Sequence, residues 1–250
     1  MTRIIAVANQ KGGVGKTTTV LNLGAALQKQ GQKVLLVDLD PQAALSTSLG
    51  VPVTQVPETV YQALVSGSPA ARAIRATAAG PDLVPANIDL AAAELELAAQ
   101  IGRERILTEV LEPIAARYDF ILIDCPPSLG LLTLNALVAA GEVLIPLQCE
   151  YLAMRGMNLL LKTVTQVRAK LNPDLKVTGI LVTMYNTRTL HAQEVLGEVK
   201  ATFGPQVLPM VVHSSVRFKE APATGLSMLD YAAVHDGTDA YRALAKELLK

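Results

Sequence analysis

The stretch Ile4-Ile5-Ala6-Val7-Ala8-Asn9-Gln10-Lys11-Gly12-Gly13-Val14-Gly15-Lys16-Thr17-Thr18 decides the reading of this chain. Its five apolar residues make a short strand of the kind buried on both faces. Gly12, Gly13 and Gly15 then allow backbone conformations closed to other residues. From Lys16 the pattern is helical as far as Gln30, and Gly31 is placed to stop it. A strand, a glycine-rich turn and a helix start let N–H groups converge on an anion at the helix N-terminus. Lys16 is then placed to reach the β- and γ-phosphates of a nucleotide, and the Thr17 hydroxyl to hold Mg²⁺. A chance glycine-rich turn is the competing explanation, and Gly-Lys-Thr-Thr between an apolar strand and a helix argues against it. The strict pattern G-x-x-x-x-G-K-[ST] is not met, because Gln10 stands in its first position. Lys11 sits early in the loop, where the ordinary motif defines no role.

Outward from this loop, short β-branched runs alternate with helical patterns. Strands are expected at Ile4–Ala8, Lys33–Asp38, Asp82–Pro85, Asp119–Asp124, Glu142–Leu147, Val177–Thr183 and Val207–Val212. Helices are expected at Lys16–Gln30, Arg103–Arg117, Leu129–Ala139, Arg155–Leu171, Leu190–Phe203 and Thr238–Leu249. Alternation of this kind predicts right-handed crossovers and an α/β fold with a doubly wound, mostly parallel sheet flanked by helices. Val51 to Pro81, rich in Pro, Gly, Ser and Ala, reads as a surface insertion. It does not look like a boundary, so residues 1–250 are expected to form one domain.

Two further strand ends carry carboxylates. In Val37-Asp38-Leu39-Asp40-Pro41-Gln42, alternation puts Asp38 and Asp40 on the same side of an extended chain. That end of an open α/β sheet is where its sites lie. One carboxylate near Mg²⁺ and one near an attacking water is the division this suggests. Phe120-Ile121-Leu122-Ile123-Asp124 has the Walker B form, four apolar strand residues ending in Asp. Asp124 could bind Mg²⁺ through its water shell, since that ion keeps several of its waters.

Composition sets the outer limits. Half of the 250 residues are hydrophobic, 18% are charged and aromatics are few, which suits a core of aliphatic layers. The 22 basic residues balance the 22 acidic ones, so bulk charge cannot hold nucleic acid and any such binding needs a local patch. Cys125 and Cys149 are too few for a disulfide framework, and the class looks reducing and cytoplasmic. The N-terminus runs straight into a strand with no signal peptide. No stretch reaches the roughly 18 apolar residues of a membrane span.

The run K-G-G-x-G-K-T-T resembles the deviant Walker A loop of the ParA/MinD group of P-loop NTPases. D-x-D-P-Q at residues 38–42 and D-C-P-P-S at 124–128 resemble the same group. So do I-P-L-Q-C-E-Y-L-A and V-R-F-K-E-A-P, and the likeness to ParA/Soj-type partition ATPases covers nearly the whole chain. The resemblance implies that residues 11–18, Val14 and Thr18 included, bind ATP with Mg²⁺. Thr17, Asp40 and Asp124 would serve the metal; Lys11, Lys16 and Asp40 would be catalytic. Lys11 would reach the ATP of a partner subunit, and Asp40 would orient the attacking water. An ATP-dependent homodimer would bind double-stranded DNA without sequence preference, and a ParB-like partner would trigger hydrolysis and release. The cargo would be a chromosome, a plasmid or a protein assembly, reached through an adaptor, with the protein on the nucleoid in its ATP state. Arg188 and Arg217 match family arginines implicated in DNA contact, with Lys219 and Lys200 weaker candidates. Cys125 reads as a packed residue with no partnered His, and the two cysteines do not reproduce an iron–sulfur site.

Departures from the family pattern fall late in the chain. Val212-His213-Ser214-Ser215 replaces I-P-R-N, and Tyr231-Ala232-Ala233-Val234-His235-Asp236-Gly237 replaces Y-D-P-R-S-R-G. Purine packing near residues 211–213 is left open, and the basic surface is thinned. A MinD-like membrane cycle is the runner-up, but Tyr241–Lys250 looks like an ordinary closing helix and no membrane anchor is expected. A metabolic ATP-dependent enzyme is the third reading; no substrate pocket for one is identifiable.

Overall fold

The computed structural model describes residues 1–150, 153–187 and 189–250. Eight strands form one sheet: β1 (Arg3–Val7), β2 (Val34–Asp38), β3 (Arg75–Ala76), β4 (Asp82–Val84), β5 (Phe120–Asp124), β6 (Glu142–Gln148), β7 (Lys176–Tyr185) and β8 (Val207–His213). Their order across the sheet is β3-β4-β2-β5-β1-β6-β7-β8. Every neighbouring pair is parallel except β3 with β4. Seven of the strands are those expected; β3 is additional.

The central strands show why the apolar runs are continuous. In β5, Ile121 and Ile123 face one core and Phe120 and Leu122 the other. Both cores are covered by helices, so alternation leaves no polar face. On one side lie α1 (Lys16–Lys29) and, later in the chain, the closing helix near residues 236–248. A Cβ on Gly24 of α1 would come within 2.6 Å of Leu36 Cδ2, so this glycine lets helix and sheet approach closely.

Between β2 and β5 the chain is more structured than its composition suggests. It forms α2 (Ala44–Ser48), α3 (Val60–Val65), α4 (Ala70–Ala73), α5 (Leu90–Ala98) and α6 (Ile106–Ala115). The expected surface insertion at 51–81 therefore needs correction. Thr59 and Gln62 close a capping box that starts α3, and Val60, Ala63, Leu64, Ala70 and Ala73 are buried in the core. Helix α6 starts three residues later than expected. The Asn135 side chain accepts from Leu107 N (3.0 Å) and donates to Arg103 O (2.8 Å), bracketing the turn before it.

The remaining helices are α7 (Leu131–Ala139), α8 (Ala153–Lys170), α9 (Leu190–Phe203), α10 (Arg217–Glu220), α11 (Met228–Tyr231) and α12 (Asp236–Leu248). Helix α12 buries Tyr241, Leu244, Ala245 and Leu248 in the same core as α1, and Thr19 Oγ1 lies 3.2 Å from Tyr241 Oη. No helix among the described residues is long and apolar enough to cross a membrane.

Candidate nucleotide site

Parallel register brings three strand ends to one level: Val7 of β1 pairs with Asp124 of β5, and Asp38 of β2 pairs with Asp124 as well. Backbone bonds extend the alignment by one residue, Leu39 N to Asp124 O (3.0 Å) and Cys125 N to Val7 O (3.3 Å). Both carboxylates and the glycine loop therefore share the C-terminal edge of the sheet.

The loop is anchored at both ends. Asn9, buried just past β1, donates to Pro146 O (2.7 Å) and accepts from Lys11 N (3.0 Å). Thr183 of β7 donates to Val14 O (2.8 Å). Between these anchors Gly13 (φ 73°) and Gly15 (φ 85°) adopt left-handed conformations that a side chain would strain. Gly15 is the N-cap of α1, and no side chain caps the helix. An anion is the natural partner for its first N–H groups.

Lys16 is 6% exposed and points back over the loop, its Nζ donating to Lys11 O (3.2 Å). Burial lowers its pKa, opposed by Asp124, Cys125 and Asp40. Among the described residues no carboxylate pairs with it directly. Asp124 is completely buried, and neither carboxylate oxygen has a hydrogen-bond partner. Burial first, then Asp38, raises its pKa well above the carboxylate range; Thr17 and Lys16 act in the opposite direction, Thr17 without meeting full hydrogen-bond geometry. A buried unpaired cation and a buried unpaired carboxylate beside a glycine cradle fit a phosphate and a divalent cation. No cluster of three or more metal-ligating side chains exists among the described residues, so such a cation would take most of its ligands from phosphate and water.

The two aspartates after β2 part company. Asp38 turns inward, accepting from Ser46 N (2.9 Å), Ser46 Oγ (2.6 Å) and Asp40 N (3.2 Å). Burial nevertheless raises its pKa to about 6. Asp40 is half-buried, its Oδ1 accepting from Gln42 N (2.9 Å), and among the described contacts its other oxygen accepts no hydrogen bond. Lys11 forms an ion pair with Glu150 of its own chain.

A cavity of about 240 Å³ adjoins the loop, lined by Gly15, Thr18, Met184, His213, Phe218 and Lys219 among others. The segment at 211–213, where purine packing was open, supplies Val212 and His213 to its wall. Tyr185 and His213 lie tilted against each other, with ring centroids 5.9 Å apart and ring planes at 50°. Met184 holds φ 51° at the end of β7. Asn9, Met184 and Phe218 escaped the sequence reading. A polar residue directly after the first strand was the available signal for Asn9; the other two carried none. Cys125 is fully buried, and burial pushes its thiol pKa up, as suits a packing residue.

Of the expected DNA contacts, Arg217 and Lys219 are exposed together on α10, with the Arg217 guanidinium 6.0 Å from the Tyr231 ring centroid. Lys219 also borders the cavity, so it is not dedicated to an outer surface. Lys200 is exposed on α9. Arg188 lies outside the described residues.

A family profile described as an AAA domain matches residues 2–177. The sporulation initiation inhibitor protein Soj of Bacillus subtilis is 47% identical over 249 residues, covering 99% of this chain and 98% of that protein. The chromosome partitioning protein ParA of Myxococcus xanthus is also 47% identical, over 99% of this chain and 88% of that protein. The chain belongs to the ParA/Soj family. Members of this ParA/MinD group are P-loop ATPases. A solved structure from Mycobacterium smegmatis, named a cobyrinic acid a,c-diamide synthase with bound ATP analog and magnesium, superimposes with a TM-score of 0.89. It is 44% identical to this ParA/Soj member and covers 100% of this chain and 95% of that one.

Proposed function

We propose that this chain works as one domain, an ATP- and Mg²⁺-dependent switch that dimerises on ATP, holds DNA without sequence preference and positions a cargo. A ParB-like or cargo-adaptor partner triggers hydrolysis and resets it, in the cytoplasm and on the nucleoid. The observation that carries the nucleotide half is that Lys16 and Asp124, both buried and neither in an ion pair, lie close to the glycine loop, with the Asp124 carboxylate unpartnered. The ATP analog and magnesium named for the Mycobacterium smegmatis structure support the same ligands here.

In this reading the N–H groups of residues 12–18 cradle the phosphates and Lys16 neutralises the β- and γ-oxygens. Thr17, Asp40 and Asp124 hold Mg²⁺, which supplies charge neutralisation between the phosphates when bound. Asp40 orients the attacking water with its free oxygen. Lys11 releases Glu150 and serves the partner's ATP, adding a second cation where charge spreads in the transition state. The 240 Å³ cavity receives the nucleoside.

The DNA half rests on Arg217 and Lys219 on α10 and on Arg188. With about six phosphate contacts from the two subunits, log affinity should fall against log salt with a slope of about −5. A DNA titration with and without ATP over a salt series tests this. Binding that needs ATP and shows that slope supports the proposal; salt-insensitive or ATP-independent binding contradicts it.

The name of the Mycobacterium smegmatis structure favours a metabolic second reading, amide formation on a corrinoid. ATP turnover that requires such a substrate, and ignores DNA, would select it. A membrane-cycling reading has less support, because the apolar residues of α12 are packed inside the fold.

A further inference from the structure

Two residues beyond Asp40 and Pro41, the chain enters α2 through a turn that no glycine supplies. Ala43 sits at φ 51° and ψ 35°, buried, with its N–H bonded to Asp40 O (2.8 Å). A residue with a Cβ stays in that region only where its surroundings over-determine it. Here the surroundings are a buried polar clamp. Ser46 donates both its N–H (2.9 Å) and its hydroxyl (2.6 Å) to one oxygen of Asp38, and Asp40 N–H (3.2 Å) meets the other. The same hydroxyl accepts from Ala86 N (3.0 Å), just past β4. Asp38 and Ser46 are both completely buried.

One hydroxyl thus joins the ends of the neighbouring strands β2 and β4 to the first turn of α2. Asp40 lies in the span between β2 and α2 that these bonds tie down. A hydroxyl bonded to a buried carboxylate at 2.6 Å is a short, charge-assisted bond, the kind that fixes geometry. Ser46 makes no bond to the glycine loop, to Lys16 or to Thr17 among the described contacts.

We propose that Ser46 is a positioning residue for hydrolysis, which fixes the direction of the free Asp40 oxygen by clamping Asp38 to α2 and β4. The inference rests on the reading of Asp40 as the group that orients water. Ser46 touches no reacting atom, so its loss changes turnover and leaves nucleotide binding to the loop. Displacements of about an ångström at a group that aligns reactants cost up to ~100-fold in rate.

The test compares Ser46→Ala, Ser46→Cys, Ser46→Thr and Asp40→Ala in the full chain, measuring steady-state ATP hydrolysis and ADP affinity. Ser46→Ala and Ser46→Cys are expected to lose about tenfold or more in kcat. In the same variants KM for MgATP and ADP affinity stay within about twofold, and Ser46→Thr, which keeps the hydroxyl, recovers most of kcat. Ser46→Cys preserves the volume with a weak donor and carries the test if Ser46→Ala does not fold. A wild-type kcat in Ser46→Cys overturns the proposal. So does a parallel loss of kcat and ADP affinity with Ser46→Thr no better than Ser46→Ala, which marks a merely structural residue. Wild-type turnover in Asp40→Ala removes the Asp40 reading and Ser46 with it, whereas an inactive Asp40→Ala beside a normal Ser46→Cys removes Ser46 alone.

Discussion

A carboxylate without a hydrogen-bond partner at the end of a central strand destabilises the protein that carries it until a cation arrives. Asp124 is such a group. Its raised pKa means that the folded protein binds this proton more tightly than the unfolded chain. The stability this contributes is complete below the unfolded value of about 3.9 and is lost as pH rises through the folded value. Asp124→Asn removes the charge. Without nucleotide or Mg²⁺ the variant is expected to be more stable than the parent by ~1–3 kcal/mol at neutral pH, with the gap closing toward pH 4. Its Mg²⁺-dependent hydrolysis should fall by about 100-fold or more. Urea unfolding across that pH range, with an ATPase assay, checks both; a less stable variant at neutral pH would remove Asp124 from the cation site. Individual residues were legible where a local run announces them, as in Gly15-Lys16-Thr17 and Ile123-Asp124. Ser46 and Asn9 were not, because their meaning lies in partners at Asp38, Ala86 and Pro146, fixed only by folding.

At the scale of elements, α10 is a four-residue helix with no buried side chain, so a substitution there leaves the core untouched. Arg217 is exposed, so Arg217→Glu should change stability by no more than about 0.5 kcal/mol. It is expected to weaken DNA binding strongly and to leave ATP-dependent dimerisation intact. Gel-shift titration at moderate salt, alongside sizing with ATP, reads both; unchanged DNA affinity would retire α10 as the contact. The seven strands expected from sequence are all present, most plainly β1, β2 and β5, whose runs Ile4–Val7, Val34–Val37 and Phe120–Ile123 are continuously apolar. Helix α5 was missed although Leu90, Ala93 and Leu97 are its buried positions. In Leu-Ala-Ala-Ala-Glu-Leu-Glu-Leu-Ala apolar residues fall on every face, so periodicity separates helix from loop poorly. Residues 51–81 were misread for a related reason: small residues look like a loop, yet Ala63, Ala70 and Ala73 are small because they pack closely.

Over the whole molecule, parallel register brings the ends of β1, β2 and β5 to one level at the C-terminal edge of the sheet, beside the glycine loop. The two lysines of the loop divide within it. Lys16 is buried over its own loop, while Lys11 is partly exposed and held by Glu150 of the same chain. The cavity wall draws Gly15 and Thr18 from the start of α1, Gln148 from β6, Met184 from β7, His213 from β8 and Tyr241 from α12, residues spread over most of the chain, and so the cavity could not be read before the fold. The most direct test of the switch is sedimentation with MgATP, run beside equilibrium ATP binding, for Lys11→Ala and Lys16→Ala. Lys16→Ala is expected to bind no ATP; Lys11→Ala is expected to bind ATP at near-parent affinity and yet remain a monomer where the parent dimerises. A Lys11→Ala protein that dimerises on ATP like the parent would contradict the account.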